Sequence, residues 1–411
     1  MRSSRGRQLR LPFAAALCAL AVLVPFGSTA SGSSDRALVT VNLVGLNIAN
    51  GLPLDLGIKQ GFFEQQGIEV SRRFLQSGND IVLALSNSQG DIGYVGWVPA
   101  MIGRTQRIPL VALTASDVEG TSVSDNWQNI LVKGSSSIRT PADLAGKTIA
   151  VNALKGVGEV MIRAALDKVG VDSDSIHLVA IGFGAMPAAL QNGQVDAIWC
   201  PEPFVTQSLN QGARIVMAPG PVLGKFWPVG TYVARTDWVA RNQSLAAKFR
   251  IAMNRSLVYA QAHPNEIREL LPAAVRDIRL PIWSPLADRS LLLQLAGYLK
   301  RYGVTASTPN VSTLVPNYIF GGKTLEGAVG NRYILLRLNG KPVTRLGIGW
   351  YTFVVADRSS KQGFLLHGKG VNRKTSISFK GRATWTLHLA KGTYTVTSTG
   401  KPRYQKTFVV R

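Results

Sequence analysis

The side chains with the strongest chemistry are few and scattered in this 411-residue chain. They are His177, His263, His367, His388, Cys18 and Cys200. Metal ligation and nucleophilic catalysis need such groups close together, and two cysteines cannot build a disulfide framework. We therefore predict no catalytic residue, no metal site and no cofactor.

Polar side chains and glycines at the ends of predicted strands are better candidates, and their chemistry suits binding. Ligands of open α/β sheets lie beyond the carboxyl ends of the strands, where helix N-termini present free N–H groups. In the first part of the chain the candidates are Asn47, Asn50, Ser77, Gly78, Asn79, Trp97 and Ser116. The amides and hydroxyls would hydrogen-bond a ligand, and Trp97 would stack on a flat or apolar one. Solvated turns, helix caps and core packing are the structural alternatives.

A second group of candidates follows later strands. Its members are Lys155, Gly156, Val157, Gly158, Trp199 and Glu202. The two glycines permit close backbone approach to an anion or polar head, and Lys155 would add charge. Glu202 would pair with a ligand amine or with an arginine near a hinge. A dinucleotide site is disfavoured, because Met161 stands where the third glycine of that motif belongs.

The elements that must position these residues alternate between strand and helix. Strands are predicted at 38–46, 68–74, 91–95 and 110–115, with helices at 54–66 and 80–88. A second round has strands at 148–152, 177–181 and 196–200, with helices at 157–169 and 186–192. Such alternation is typical of βαβ units and mostly parallel sheets.

An internal repeat supports two similar lobes. The segment 84–92, ALSNSQGDI, resembles 189–197, ALQNGQVDA, and each links a helix to a strand. We predict one lobe at about 38–131 with 231–320 and another at about 133–226. The chain would cross between them near 131–133 and 227–232, where hinge motion would close the cleft.

Several short blocks carry a family resemblance: Gln89-Gly90-Asp91-Ile92-Gly93, Asp143-Leu144-Ala145-Gly146-Lys147 and Glu202-Pro203-Phe204. In this order they resemble ABC-transporter substrate-binding proteins of the nitrate/sulfonate/taurine/thiamine-pyrimidine group. The resemblance covers about residues 38–320. It implies an α/β, two-lobed type II periplasmic-binding-protein fold that delivers a small solute to an ABC permease in the cytoplasmic membrane.

The first thirty residues have the pattern of a secretory signal peptide. Four arginines precede an apolar run at 11–26, and small residues follow up to Ala30. We predict export with cleavage near Ala30, with a retained anchor as the alternative. Leu17 before Cys18 argues against a lipoprotein.

The basic character of the chain is concentrated at its C-terminal end. The whole chain has a formal net charge of +23, and residues 331–411 alone hold sixteen Lys and Arg against one acid. After removal of the signal arginines, residues 31–330 carry only +4. This shift predicts a boundary near 330, between a two-lobed domain at 31–330 and a basic domain at 331–411.

Alternating apolar and polar residues predict that the basic domain is an all-β, antiparallel sandwich. It resembles cupredoxin-like secreted domains. Gln362, Leu365, Ser398 and Lys401 stand where the resemblance places copper ligands, so we predict no copper. The sandwich would be structural or would contact an anionic cell-envelope surface; export makes nucleic acid an unsuitable partner.

Three functions remain in competition. The first is a solute receptor for uptake, for a small sulfonate, nitrate or a pyrimidine-like compound, without chemistry. The second is an enzyme similar to the fungal thiamine-pyrimidine synthase, which shares the fold. The third is an envelope-attached interaction protein that acts through its cationic sandwich.

Overall fold

The computed structural model describes residues 37–320, 323–338 and 340–411. The predicted signal segment, with Cys18 and the cleavage site near Ala30, lies outside the described residues. The described chain has two regions: an α/β part up to residue 320 and a strand-rich part after it.

The α/β part contains eleven strands and twelve helices among its described residues. The strands are β1 (Val39–Gly45), β2 (Ile68–Phe74), β3 (Ile92–Gly96), β4 (Leu110–Val118), β5 (Gln128–Lys133), β6 (Thr148–Val151), β7 (His177–Ala180), β8 (Ala197–Pro201), β9 (Ala213–Met217), β10 (Pro228–Arg235) and β11 (Ile282–Trp283). The helices are α1 (Leu52–Lys59), α2 (Gly78–Ser86), α3 (Trp97–Thr105), α4 (Val157–Lys168), α5 (Met186–Gln191), α6 (Phe204–Asn210), α7 (Pro219–Leu223), α8 (Thr236–Arg241), α9 (Gln243–Ala262), α10 (Pro264–Glu269), α11 (Arg289–Arg301) and α12 (Val311–Leu314).

The first sheet has the order β11-β4-β10-β3-β1-β2. β1 is parallel to β2 and β3, whereas β10 is antiparallel to both β3 and β4. Its central strands are almost continuously apolar because helices cover both faces. On one face, Phe249 and Met253 of α9 pack with Tyr232 of β10 and Leu54 of α1.

The second sheet repeats this arrangement in the order β9-β5-β8-β6-β7. The repeat extends to side chains: Asp91, before β3, accepts a hydrogen bond from the backbone N–H of Asn42 at 2.8 Å. Asp196, before β8, accepts one from the N–H of Thr148 at the same distance. Asn42 lies on β1 and Thr148 on β6, which occupy matching positions. The similar segments 84–92 and 189–197 therefore hold matching strands together.

The sheets are mixed rather than mostly parallel, and the points where the chain crosses differ from those predicted. β5 pairs antiparallel with β8 and β9 inside the second sheet, so the first crossing ends before Gln128 rather than near 131–133. β10 enters the first sheet at Pro228. The crossing segments are thus 119–127 and 218–227, and they meet where the N–H of Glu119 donates to the carbonyl of Trp227 at 2.8 Å. After each crossing the chain enters the next sheet in the direction opposite to the neighbouring strands. For this reason β5 and β10 are antiparallel to the strands beside them.

The strand-rich part forms two five-stranded sheets from β12 (Lys323–Gly330), β13 (Tyr333–Leu338), β14 (Lys341–Pro342), β15 (Arg345–Leu346), β16 (Gly349–Asp357), β17 (Phe364–Gly368), β18 (Val371–Lys374), β19 (Gly381–Leu389), β20 (Gly392–Ser398) and β21 (Gln405–Val410). Apolar side chains including Phe353, Phe364 and Phe408 fill the space between the sheets. The pairing is not wholly antiparallel, because β12–β16 and β15–β21 are parallel. The first strand begins at Lys323, before the predicted boundary near 330, which itself stays a prediction.

The sandwich is seated on the crossing segments of the α/β part. Val354 of β16 is buried with Val118, Phe226 and Ile282. Polar contacts surround this apolar patch: Arg382 pairs with Asp125 at 3.1 Å, Lys225 with Glu326 at 2.7 Å, and the hydroxyls of Ser284 and Thr352 are 3.2 Å apart. Phe226, Lys225 and Asp125 all belong to the crossings, so the sandwich contacts both of them.

Candidate functional site

A cavity lies between the two sheets and takes its walls from both. Its empty space, part of which is continuous with solvent, is about 510 Å³. It is lined by Leu46, Ile48, Asn50, Gly78, Asn79, Tyr94, Gly96, Pro99, Trp127, Gln128, Asn152, Ala153, Gly156, Val157, Phe183, Trp199, Pro201 and Val229. Among these described residues none is charged, so the wall offers apolar surface and uncharged hydrogen-bonding groups.

Helices α2 and α4 are among those that begin at the cavity. α2 starts at Gly78 after Ser77, whose hydroxyl oxygen accepts from the N–H of Asp80 at 3.2 Å and donates to the Asp80 carboxylate at 2.7 Å. α4 starts at Val157 after Gly156, which is extended. The first turns of both helices leave backbone N–H groups and the positive ends of the helix dipoles at the cavity rim.

Six of the predicted site residues line this cavity: Asn50, Gly78, Asn79, Gly156, Val157 and Trp199. The glycines explain the close packing of its walls. A Cβ atom at Gly78 would lie 2.5 Å from Cγ of Pro99, and one at Gly96 would lie 2.4 Å from Cγ2 of Val157. Contact of the six residues with a ligand stays a prediction.

The other predicted residues lie next to the cavity or away from it. Asn47 and Lys155 are exposed, and Ser77 is occupied as a helix cap. Trp97 and Ser116 are fully buried and do not line the cavity. Trp97 opens α3 and joins the large core between the sheets and helices, so its ring packs against protein.

Gly158 supports the site from behind Trp199. A Cβ atom at Gly158 would lie only 2.5 Å from Cε3 of the Trp199 ring, so the glycine makes room for it. Phe183 packs against the same ring, with centroids 6.1 Å apart. Trp199 is only 2% exposed, and its ring N–H has no hydrogen-bond partner among the described residues.

Glu202 joins the two lobes instead of lining the cavity. Its carboxylate accepts from the N–H and hydroxyl of Thr206, both at 2.9 Å, and from the N–H of Arg279 at 3.1 Å. The Arg279 guanidinium lies 3.7 Å away. Burial raises the pKa of Glu202, and the hydrogen bonds from Thr206 and Arg279 oppose that effect. The predicted pairing with an arginine therefore has a counterpart in Arg279.

A buried acid behind the cavity was missed by sequence reasoning. Asp117 is 1% exposed and accepts from the side-chain amide of Asn50 at 2.7 Å and from the Tyr94 hydroxyl at 2.9 Å. Burial raises the pKa of Asp117 to about 6, against hydrogen bonds that lower it. Burial also raises the pKa of Tyr94, and the neighbouring Asp117 adds to the shift. β4 extends three residues beyond its predicted end, and this extension brings Asp117 here.

A second buried acid lies where the crossings meet. Glu119 accepts a hydrogen bond from the side-chain amide of Gln128, a residue of the cavity wall. Its other oxygen has no partner among the described residues, and burial raises its pKa well above the usual value. A Cβ atom at Gly220 would overlap Glu119, so the glycine opens space for the acid.

Hydrogen bonds across the cleft hold the lobes together around the cavity. The Asn79 amide donates to the carbonyl of Leu154 at 3.3 Å, and the Asn152 amide donates to that of Gln76 at 3.4 Å. The N–H of Ala49 donates to the carbonyl of Glu202 at 3.0 Å. The structure is therefore a closed arrangement of the two lobes.

Reactive side chains stand apart in the described parts of the chain. No three His, Cys, Asp or Glu residues there are grouped as a metal ion requires. Cys200 is buried, and burial raises the pKa of its thiol. His367 lies on β17, while the side chain of His388 is outside the described set. Within the described residues, no helix has the length and apolar character needed to cross a bilayer.

Comparison with solved structures establishes the class of fold. The periplasmic aliphatic sulphonate binding protein SsuA from Escherichia coli matches with a TM-score of 0.57 at 18% identity, over 68% of this chain and 98% of that one. The periplasmic nitrate-binding protein NrtA from Synechocystis PCC 6803 matches with a TM-score of 0.56 at 17% identity, over 69% and 87%. The chain has the α/β fold of periplasmic binding proteins, as predicted, with a strand-rich C-terminal region.

Comparison of sequences gives the family. The chain belongs to the family described as NMT1/THI5 like, which matches residues 49–267. The taurine-binding periplasmic protein of Escherichia coli (strain K12) is 27% identical over 219 residues, 52% of this chain and 58% of that protein. The match thus spans less than two thirds of that relative. The predicted family resemblance is confirmed, and the likeness of the sandwich to cupredoxin-like domains stays a prediction.

Proposed function

We propose that this protein is the extracytoplasmic solute-binding component of an ABC importer. It captures a small solute in the cavity between its lobes, closes by bending at the two crossing segments, and releases the solute to a permease. The solute classes favoured by the family resemblance are sulfonates, nitrate and pyrimidine-like compounds. No chemical step is part of this function.

The observation that carries the proposal is the cavity itself. Its walls come from both sheets, two helices begin at its rim, and direct hydrogen bonds close the lobes over it. The segments 119–127 and 218–227 connect the two sheets, so bending within them would open the cleft. This is the geometry of a protein that traps a ligand and lets it go.

The comparisons support the same function. The taurine-binding relative, SsuA and NrtA are all named as periplasmic binding proteins. The sequence resemblance implies a permease as the partner. The predicted signal segment implies that the protein is exported. A contact of the basic sandwich with an anionic envelope surface stays a separate prediction.

Two measurements on residues 31–411 test the proposal: thermal unfolding and small-angle scattering. Each is made with alkanesulfonates, taurine, nitrate and aminopyrimidines. A bound solute at about 100 times its dissociation constant stabilises the folded state by roughly 2.7 kcal/mol, a shift of several degrees. The Asn79→Ala variant should lose affinity, because Asn79 lines the cavity and bonds across it, whereas the exposed Asn372→Ala control should not. Ligand turnover, or a scattering profile and melting temperature unchanged by every compound, would contradict a solute receptor.

A further inference from the structure

One wall of the cavity has its polar side chains fixed from behind by buried carboxylates. Asn50 donates its side-chain N–H to Asp117 at 2.7 Å, and its carbonyl oxygen Oδ1 has no partner among the described residues. The amide nitrogen gives one of its two hydrogens to Asp117, so Oδ1 is the buried polar atom of this side chain that has no partner among the described residues. Asn50 is fully buried, so this unpartnered oxygen is a costly atom unless a ligand supplies a hydrogen.

The neighbouring polar groups are committed in the same way. Tyr94 donates its hydroxyl hydrogen to Asp117 at 2.9 Å, and Gln128 donates its amide nitrogen to Glu119. All three side chains line the cavity. The Tyr94 hydroxyl has given its single hydrogen to Asp117, so its oxygen and Oδ1 of Asn50 are acceptors on this wall.

Charge near the cavity points in the same direction. None of the described lining residues is Lys, Arg or His. Lys155 is exposed, and Arg279 pairs with Glu202. The Asp117 carboxylate, in contrast, lies directly behind Asn50 and Tyr94, in an environment where charges interact strongly. A full negative charge on the solute would be repelled by Asp117, and only the helix N-termini, with no cationic side chain among the described lining residues, would offset that repulsion.

The remaining surface is apolar and partly aromatic. Trp127, Trp199, Phe183, Leu46 and Ile48 supply flat and aliphatic faces. The free N–H groups at the starts of α2 and α4 can donate to a neutral acceptor on the solute, such as a ring nitrogen or a carbonyl.

We infer that the solute is a flat, largely apolar, uncharged molecule with an amino or hydroxyl group that donates to Oδ1 of Asn50. This inference rests on the proposed solute-binding function and narrows its ligand class. Asp117 acts as a positioning residue, because it orients the Asn50 amide without reaching the cavity.

Matched compounds test the inference by calorimetric titration of residues 31–411. The first set of compounds, 4-aminopyrimidine and phenol, carries a hydrogen-bond donor. The second set, pyrimidine and anisole, has the same rings without that donor. The third set contains the anions benzenesulfonate, taurine and nitrate. We expect each donor compound to bind at least tenfold more tightly than its counterpart and than every anion. A buried acceptor left unpaired rejects the counterpart strongly.

The Asp117→Asn variant tests the orienting role. Its new amide N–H can donate to Oδ1 of Asn50, which turns the Asn50 nitrogen toward the cavity, so the preference for donors over benzenesulfonate should fall at least tenfold. The exposed Asp277→Asn control should keep the preference. The comparison in the unmodified protein stands even if the Asp117 variant fails to fold.

Each outcome separates the inference from the proposed function. Tighter binding of benzenesulfonate, taurine or nitrate than of the donor compounds overturns the inference and leaves the solute receptor intact. Equal binding of donor compounds and their counterparts also overturns it. Binding of no compound in any set overturns the inference and removes support from the receptor.

Discussion

At the scale of single residues, the acids of this protein divide by their surroundings. Asp237 on the surface is held between Arg235 and Arg241, and its hydrogen bonds to Arg235 lower its pKa to about 2. Asp117 has no cation beside it and is buried, so its pKa rises to about 6. The contribution of Asp237 to the stability of the folded state is therefore lost as the pH falls, whereas that of Asp117 is lost as the pH rises.

Asp117 should make the free energy of unfolding fall as the pH rises from about 4 to about 6. In that window the folded protein keeps a proton on Asp117 that the unfolded chain, with a pKa near 3.8, has released. A difference of about two pKa units corresponds to roughly 3 kcal/mol, present at low pH and lost above pH 6. Urea denaturation between pH 4 and 7.5 measures it, and Asp117→Asn should remove this component.

The comparison with a surface acid isolates the effect. Asp277 is exposed, so the Asp277→Asn variant should follow the unmodified protein through the whole pH range. If the unmodified protein and the Asp117→Asn variant kept a constant difference in unfolding free energy from pH 4 to 7.5, the raised pKa would be contradicted.

At the scale of elements, helices rest closely on strands wherever glycine permits it. Gly158, in the first turn of α4, packs against the ring of Trp199 of β8. Gly93 of β3 packs against Ile81 and Leu85 of α2. These contacts set the distance between helix and sheet, and thereby the position of each helix N-terminus at the cavity.

Gly158→Ala should destabilise the protein and block the cavity. The added methyl group would lie 2.5 Å from Cε3 of Trp199, a rigid ring that lines the cavity. Overpacking of this kind costs about 1–3 kcal/mol. Urea denaturation should show that loss, and calorimetric titration should show loss of solute binding.

Gly184→Ala is the matched control, because no atom lies within 4 Å of a Cβ there. Its stability should stay within about 0.5 kcal/mol of the unmodified protein. Unchanged solute affinity in Gly158→Ala would mean that the Trp199 face is not part of the binding surface.

Elements were easier to predict from the sequence than the site they build. β2 occurs at its predicted residues 68–74, and α4 begins at its predicted start, because hydrophobic periodicity and glycine ends are local signals. Asp117 and Gln128 gave no such signal. They come together because β4 and β5, joined by a crossing, place Asp117 behind the cavity wall and Gln128 in it.

The internal repeat does not extend to the side chains that follow its matching strands. Trp97 and Glu202 come after matching strands, yet Trp97 packs in the core while Glu202 binds Arg279. The repeat preserves the backbone and the aspartates that join its strands, since both lobes need the same pairing. The side chains beyond the strand ends differ, because each lobe surrounds them with different neighbours.

At the scale of the whole molecule, the basic sandwich contacts the two crossing segments, where the proposed opening of the cleft would bend the chain. The sandwich packs on Val118 at the end of β4 and on Phe226 in the second crossing segment. Its Arg382 forms an ion pair with Asp125 in the first crossing segment. If the cleft opens as proposed, these segments would change their relation to one another. We therefore expect the sandwich to stabilise the closed arrangement seen in the structure.

Val354→Asp should uncouple the sandwich from the rest of the protein. The new carboxylate would be buried against Val118, Phe226 and Ile282 with no cation in that cluster, and burying an unpaired charge is strongly unfavourable. We expect scanning calorimetry of the unmodified protein to show one cooperative transition and of Val354→Asp to show two, with a calorimetric enthalpy exceeding the van't Hoff enthalpy. Ile377→Asp, on an exposed part of the sandwich, carries the same new charge and should leave the single transition unchanged. A single transition with an unchanged midpoint in Val354→Asp would show that the apolar seat does not hold the sandwich on the crossings.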